Sequence, residues 1–261
     1  MGTVNKSELF SVNRLLDSNH GRRGFLCMAL AGCAGVVVSS CKEGSVVGTQ
    51  KENPPKEEPA KGGEVTATED LMREHGVLRR ALLVFSEAAV RLRNAPKTVS
   101  PEALQQTASL FRAFGEDYHE KMLEEAYIFP AVKGSAGSAA ALPDILTSQH
   151  RRGREITDYI LATTKDAGAM AGNAGHLAGV LDSFVRMYRA HAAREDTVVF
   201  PAWKQTLSAR QLDEIGDKFE EIERQQLGED GYEHAVLRIG EIEQTLGLAD
   251  LAGFTAPPPT A

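Results

Sequence analysis

Apolar side chains recur along residues 66–94 at alternating steps of four and three: Leu71, Leu78, Leu82, Phe85, Ala89 and Leu92, with His75 in the same stripe. An α-helix turns once in about 3.6 residues, so this spacing puts them on one face. Ser100 as cap and Pro101 in the first turn open a second helix. Its face runs through Leu104, Ala108, Phe111, Gly115 and His119 to about Ile128, and Pro130, which lacks a backbone donor, is expected to close it. A third helix follows Pro143 and carries Leu146, His150, Gly153, Ile156 and Ile160. The fourth aligns Leu177, Leu181, Phe184, Tyr188, His191, Glu195 and Val198 and is expected to end before Pro201.

Four amphipathic segments with short connections predict an all-α fold, an antiparallel four-helix bundle over residues 66–204. Two further helices are expected to pack on it within residues 205–250. One starts at Ser208, with Gln211 placed for a capping box, and the other spans Gly231 to Leu246. No segment alternates with period two. Residues 251–261, with Pro257, Pro258 and Pro259, read as a disordered tail. Apolar residues make up 42 % and charged ones 25 %, ordinary for a globular chain, and the net charge of −7 argues against a nucleic-acid partner. The basic pairs Arg79-Arg80 and Arg151-Arg152 stand beside acidic residues and read as solvated helix faces.

The N-terminal segment is different. An arginine pair, Arg22-Arg23, precedes an apolar stretch that ends in small residues, the layout of an export signal over residues 1–41. Arg22-Arg23-Gly24-Phe25-Leu26 resembles the twin-arginine signature. Cys33 and Cys41 each end a stretch like a lipoprotein cleavage box. Cys41 is favoured because stopping at Cys33 leaves an apolar run of only about nine residues. An uncleaved anchor helix is the alternative. Residues 42–65, rich in Lys, Glu, Pro and Gly, read as a flexible linker. The expectation is an exported protein of the periplasm or cell envelope, held to the membrane by a lipid on Cys41. All three cysteines lie in the signal, so neither a disulfide framework nor a thiolate metal site is expected in the folded domain.

The polar residues that interrupt the stripes carry the chemistry. His75 and His150 stand in the first and third helices, His119 with Glu124 in the second, and His191 with Glu195 in the fourth. Equivalent positions are 75, 72 and 71 residues apart (His75 to His150, His119 to His191, Glu124 to Glu195), so the chain repeats one helical hairpin. The blocks from Glu124 to Ala131 and from Glu195 to Ala202 match as well, each with Phe-Pro five residues after the glutamate. An unpaired carboxylate inside a bundle is costly, and a metal supplies the compensation. Imidazole with carboxylate suits iron, with manganese or zinc as the other candidates. His191 and Glu195 are four apart and share a face. His119 and Glu124 are five apart, about 140° around a regular helix, so a π-bulge around Met122-Leu123 is expected to realign them. Glu125 is the reserve ligand. His176 lies a long way along the fourth helix from His191, and His234 has no partner spacing; neither is assigned to the site.

These residues resemble the hemerythrin family, specifically bacterial domains with a His-His-Glu cation-binding motif, over roughly residues 66–203. The resemblance implies a non-haem centre of two iron ions. His75, His119, His150 and His191 would be terminal ligands, and Glu124 and Glu195 would bridge, with an oxo or hydroxo group as third bridge. Oxygen-carrying members use five histidines, and four stand at matching positions here. The function implied is binding of dioxygen or nitric oxide. The alternatives are a di-iron oxidoreductase reducing dioxygen, peroxide or nitric oxide, and an iron-holding protein without turnover. Tyr118 and Tyr188 are near enough to ligand histidines to be considered as hydrogen-bond donors to a bound oxygen species.

Overall fold

The computed structural model describes residues 65–259; the arginine pair, the apolar run, Cys33, Cys41 and the linker to residue 64 lie outside the described residues. Every regular element among the described residues is helical. Helix α1 spans Ala67–Asn94. Helix α2 begins as Pro101–Leu110, continues as a π-helix over Phe111–Ile128 and ends in the turn Phe129–Lys133. Helix α3 is Leu142–Thr163. Helix α4 is Ala174–Arg194, continued by a π segment, Glu195–Val199, and by Phe200–Gln205. Helices α5, Ala209–Leu227, and α6, Gly231–Leu246, follow. None of these helices is long and apolar enough to cross a membrane.

Local chemistry sets the helix starts. The Thr66 side chain accepts from the Glu69 N–H, Ser100 from Ala103, and Ser208 forms a reciprocal capping box with Gln211. In α1, Glu69 and Asp70 in the first turn and Arg91 and Arg93 in the last complement the helix dipole. The stripes expected from the sequence are buried: Leu71, Leu82, Phe85, Leu104, Phe111, Leu177, Leu181 and Phe184 are at most 2 % exposed. Phe85, Phe111, Phe184 and Tyr188 interlock, with ring centroids 4.7–5.6 Å apart for the pairs that Phe184 makes with the other three. This aromatic cluster closes the bundle interior just beside the histidines.

Two expectations about prolines are corrected. The second helix does not stop at Pro130 but runs to Lys133, and the fourth does not stop at Pro201 but runs to Gln205. Both prolines follow a π segment. The Phe129 N–H bonds to the Glu124 carbonyl and the Phe200 N–H to that of Glu195, five residues back, so the ladder is already displaced where the ring removes a donor. The bulge expected near Met122-Leu123 is an 18-residue π-helix, and the second π segment at Glu195 is one the sequence reading lacked. In a five-residue register Phe114, His119, Glu124 and Phe129 share one buried line, and Tyr118, Leu123 and Ile128 another.

Helices α5 and α6 cover the bundle. Trp203 stacks on Phe219 of α5 at 5.8 Å, and Tyr127 meets the same ring edge-on. Arg80 of α1 pairs with Glu243 of α6 through both Nε and Nη2, so it is not the solvated residue its sequence context suggests. Leu251–Phe254, expected within the frayed tail, forms a 3-10 turn capped by Asp250.

Candidate metal centre

The four stripe histidines and the two glutamates meet at one level of the bundle, each at most 3 % exposed. They form two facing pairs. The Nε2 atoms of His75 and His119 are 3.0 Å apart, and so are those of His150 and His191. Each glutamate divides its two oxygens between the pairs. Glu124 places Oε1 3.4 Å from His119 and Oε2 3.3 Å from His150. Glu195 places Oε1 2.9 Å from His191 and Oε2 3.5 Å from His75. None of these four carboxylate oxygens makes a hydrogen bond, although all are buried. Buried carboxylates normally have partners, so this arrangement fits cations lying between each imidazole pair and the two carboxylates.

The outward ring nitrogens have acceptors in every case. His75 Nδ1 is 2.7 Å from Asp196, His119 Nδ1 2.6 Å from Glu74, His150 Nδ1 2.9 Å from Glu125, and His191 Nδ1 2.8 Å from Gln149. A proton on each Nδ1, donated outward, leaves the Nε2 lone pairs aimed inward, which is the tautomer a metal ligand requires. Phe200 stacks on the His75 ring at 5.4 Å and Phe129 on His150 at 5.3 Å, so the Phe-Pro blocks also fix ring orientation.

The geometry repeats with the duplication. Asp196 follows Glu195 as Glu125 follows Glu124; Glu74 precedes His75 as Gln149 precedes His150. Arg79, four after His75, pairs with Asp196, and Arg154, four after His150, pairs with Glu125 at 2.7 Å. Glu125, the reserve ligand of the sequence reading, therefore holds the outer face of His150. Glu74, Gln149 and Asp196 were not singled out from the sequence, although each adjoins a ligand candidate. The hydroxyls of Tyr118 and Tyr188 donate to Glu74 and Glu120, at 2.8 and 2.7 Å. His176 packs against Tyr159, away from the centre, and His234 is exposed.

Charge in the metal-free cluster follows from these contacts. Burial opposes ionisation of His119, but Glu124 and Glu74 outweigh it and raise its pKa well above the ordinary value. His150 is likewise raised to about 10 by Glu120, Glu124 and Glu125 against burial. Burial opposes charge on Glu124 too, and His119 and His150 hold it well below the carboxylate range. Protons on the imidazoles thus stand in for cations. A small cavity beside the imidazoles, about 10 Å³ and so with room for at most one water-sized group, is walled by Leu78, Leu82, Phe111, Tyr188 and Ala192.

The model of the family described as hemerythrin HHE cation binding domain matches residues 66–204. The chain belongs to that family. The match spans α1 to α4 and all six ligand candidates. Uncharacterized proteins of Mycobacterium tuberculosis and Mycobacterium bovis are each 41 % identical to this hemerythrin-family chain over 236 residues, covering 90 % of it and 91 % of the relative. No solved structure matches it significantly. Family membership and the buried histidine/glutamate clusters together make the chain a cation-binding protein, with iron the typical ion of the domain.

Proposed function

We propose that the protein holds two iron ions between its paired histidines and binds dioxygen or nitric oxide there. The observation that carries the reading is the division of Glu124 and Glu195 between the two histidine pairs, with all four oxygens buried and free of hydrogen bonds. His75 and His119 would hold one ion and His150 and His191 the other, with both carboxylates serving each. Bound iron would supply redox-active coordination positions for a diatomic ligand. The chain itself contributes the rest. Asp196, Glu74, Glu125 and Gln149 fix the imidazole tautomers, Phe129 and Phe200 fix ring planes, and Leu78, Leu82 and Phe111 give the cavity an apolar wall.

The test is elemental analysis and absorption spectroscopy of the purified protein. About two irons per chain are expected, falling to one or fewer in Glu124→Ala and Glu195→Ala, because each carboxylate serves both ions. A wild-type protein that excludes iron, or variants that keep full iron, would sink the reading. Adding dioxygen to the reduced protein then distinguishes a stable adduct from turnover. We also propose that the domain is exported and anchored by a lipid on Cys41, a reading supported by the N-terminal pattern; Cys41→Ala should move the protein from the membrane fraction to the soluble one.

A further inference from the structure

The duplicated hairpin gives the centre two equivalent flanks, and the chain has treated them differently. On the flank between α2 and α3, Arg154 bonds to Glu125 at 2.7 Å, to Glu120 at 3.2 Å and to the Glu116 carbonyl at 3.3 Å. Tyr188 donates to Glu120 there at 2.7 Å, and its hydroxyl fills the space above Gly153, where an added Cβ would meet it at 1.9 Å. Arginine, tyrosine and glutamate together plug that side.

The flank between α1 and α4 repeats this plan with Leu78 where Gly153 stands, but without the carboxylate of Glu120. The position equivalent to Glu120 is Ala192, 72 residues on, and the position equivalent to Arg154 is Arg79, 75 residues earlier. Without a counterpart of Glu120, Arg79 has Asp196 as its one ion-pair partner among the described residues. The cavity runs between the two flanks: Glu120 and Tyr188 of the plug form one wall, and Arg79 and Ala192 the other. Of all the residues that line it, Arg79 alone is exposed, with 45 % of its side chain in solvent. A group entering from solvent therefore meets Arg79 before any other wall of the cavity.

We propose that small ligands and metal ions enter the centre at Arg79, between α1 and α4, and that the Arg79–Asp196 ion pair is the gate. The opposite flank stays closed through Arg154, Glu120 and Tyr188. Swinging Arg79 into water breaks one partly exposed ion pair, an opening of low cost. Opening on the Arg154 flank breaks three contacts at once. The inference rests on the di-iron reading, since it assigns a route to that site.

A gate changes the rates of entry and exit together and leaves affinity alone, which separates it from a residue that merely supports a ligand. The experiment compares full-length wild type, Arg79→Ala, Ala192→Leu, and Arg152→Ala as an exposed control. Iron content is measured first. Cobalt uptake by the metal-free protein is then followed by absorption, and nitric oxide association and release by stopped flow on the iron-loaded protein. Arg79→Ala should speed cobalt uptake and both nitric oxide rates by on the order of tenfold, with the nitric oxide Kd unchanged within about twofold. Ala192→Leu should slow all three, and Arg152→Ala should match wild type. Wild-type rates in Arg79→Ala and Ala192→Leu, at full iron content, overturn the entrance. A changed Kd with unchanged entry rates also overturns the gate and assigns Arg79 to holding His75 through Asp196. A wild type that takes up no metal overturns the di-iron reading itself, and the entrance with it.

Discussion

Each ligand histidine is oriented by a residue adjacent in sequence to another ligand: Glu74, Gln149, Glu125 and Asp196. Three are carboxylates and one is an amide. The ion held by His75 and His119 would therefore have two anionic partners behind its imidazoles, and the other ion one. Glu74→Gln copies the second half onto the first and should weaken metal affinity at that position by roughly 10–100-fold while leaving the helix content unchanged. Competition with a chelator, followed by absorption, would show it, and Gln149→Glu should shift the other position the opposite way. The six ligand candidates were legible in the sequence because each interrupts an apolar stripe at a duplicated position. Of the four supporting residues only Glu125 was, as a reserve ligand. Glu74 and Asp196 flank the stripes, and what makes them important is a partner more than forty residues away on another helix, which periodicity along one helix cannot reveal.

At the scale of the elements, the helix faces followed from spacing, but the ends of the second and fourth helices did not. Pro130 and Pro201 read as stops because a regular helix loses a bond and gains a clash at proline. The π segments before them displace the ladder, and the helices pass through. The five-residue step from His119 to Glu124 was the visible trace of this. Its extent was hidden because His119 also continues the regular stripe through Phe111 and Gly115, so nothing marks where the register changes. Helices α3 and α4 approach closely at Gly153, which faces the Tyr188 hydroxyl. Gly153→Ala gains helix propensity but puts a methyl group 1.9 Å from that oxygen. The clash should prevail, destabilising the protein by about 1–3 kcal/mol in urea unfolding. Combining it with Tyr188→Leu should recover part of the loss. A more stable Gly153→Ala would show that the two helices are not in contact as described.

For the whole molecule, metal and protons compete for one buried cluster, and the direction of each effect can be worked out. In the metal-free chain the His150 pKa is about 10 against an ordinary 6.5, raised by Glu120, Glu124 and Glu125 in spite of burial. A raised pKa stabilises the fold in full below about pH 6.5, and that contribution is lost as pH climbs through 10. Glu116 acts the same way lower down. Burial and Glu120 raise it to about 7, against the Thr157 hydrogen bond, so its contribution fades between pH 4.5 and 7. The depressed Glu124, Glu125 and Asp196 work oppositely and lose stabilisation in acid. Metal needs neutral imidazoles, so loading at pH 7 must expel the protons held by His119 and His150. Iron(II) or cobalt(II) added to metal-free protein in weak buffer should acidify it, and the apparent affinity should rise with pH across the neutral range. The loaded protein should also be the more stable one, by about 4 kcal/mol for each ion bound when free metal exceeds its Kd a thousandfold. For a domain of this size that corresponds to a Tm higher by on the order of 10 °C. Calorimetry in two buffers of different ionisation enthalpy reads both quantities. Loading without proton release, or with no gain in Tm, would place the cation somewhere other than among these six side chains.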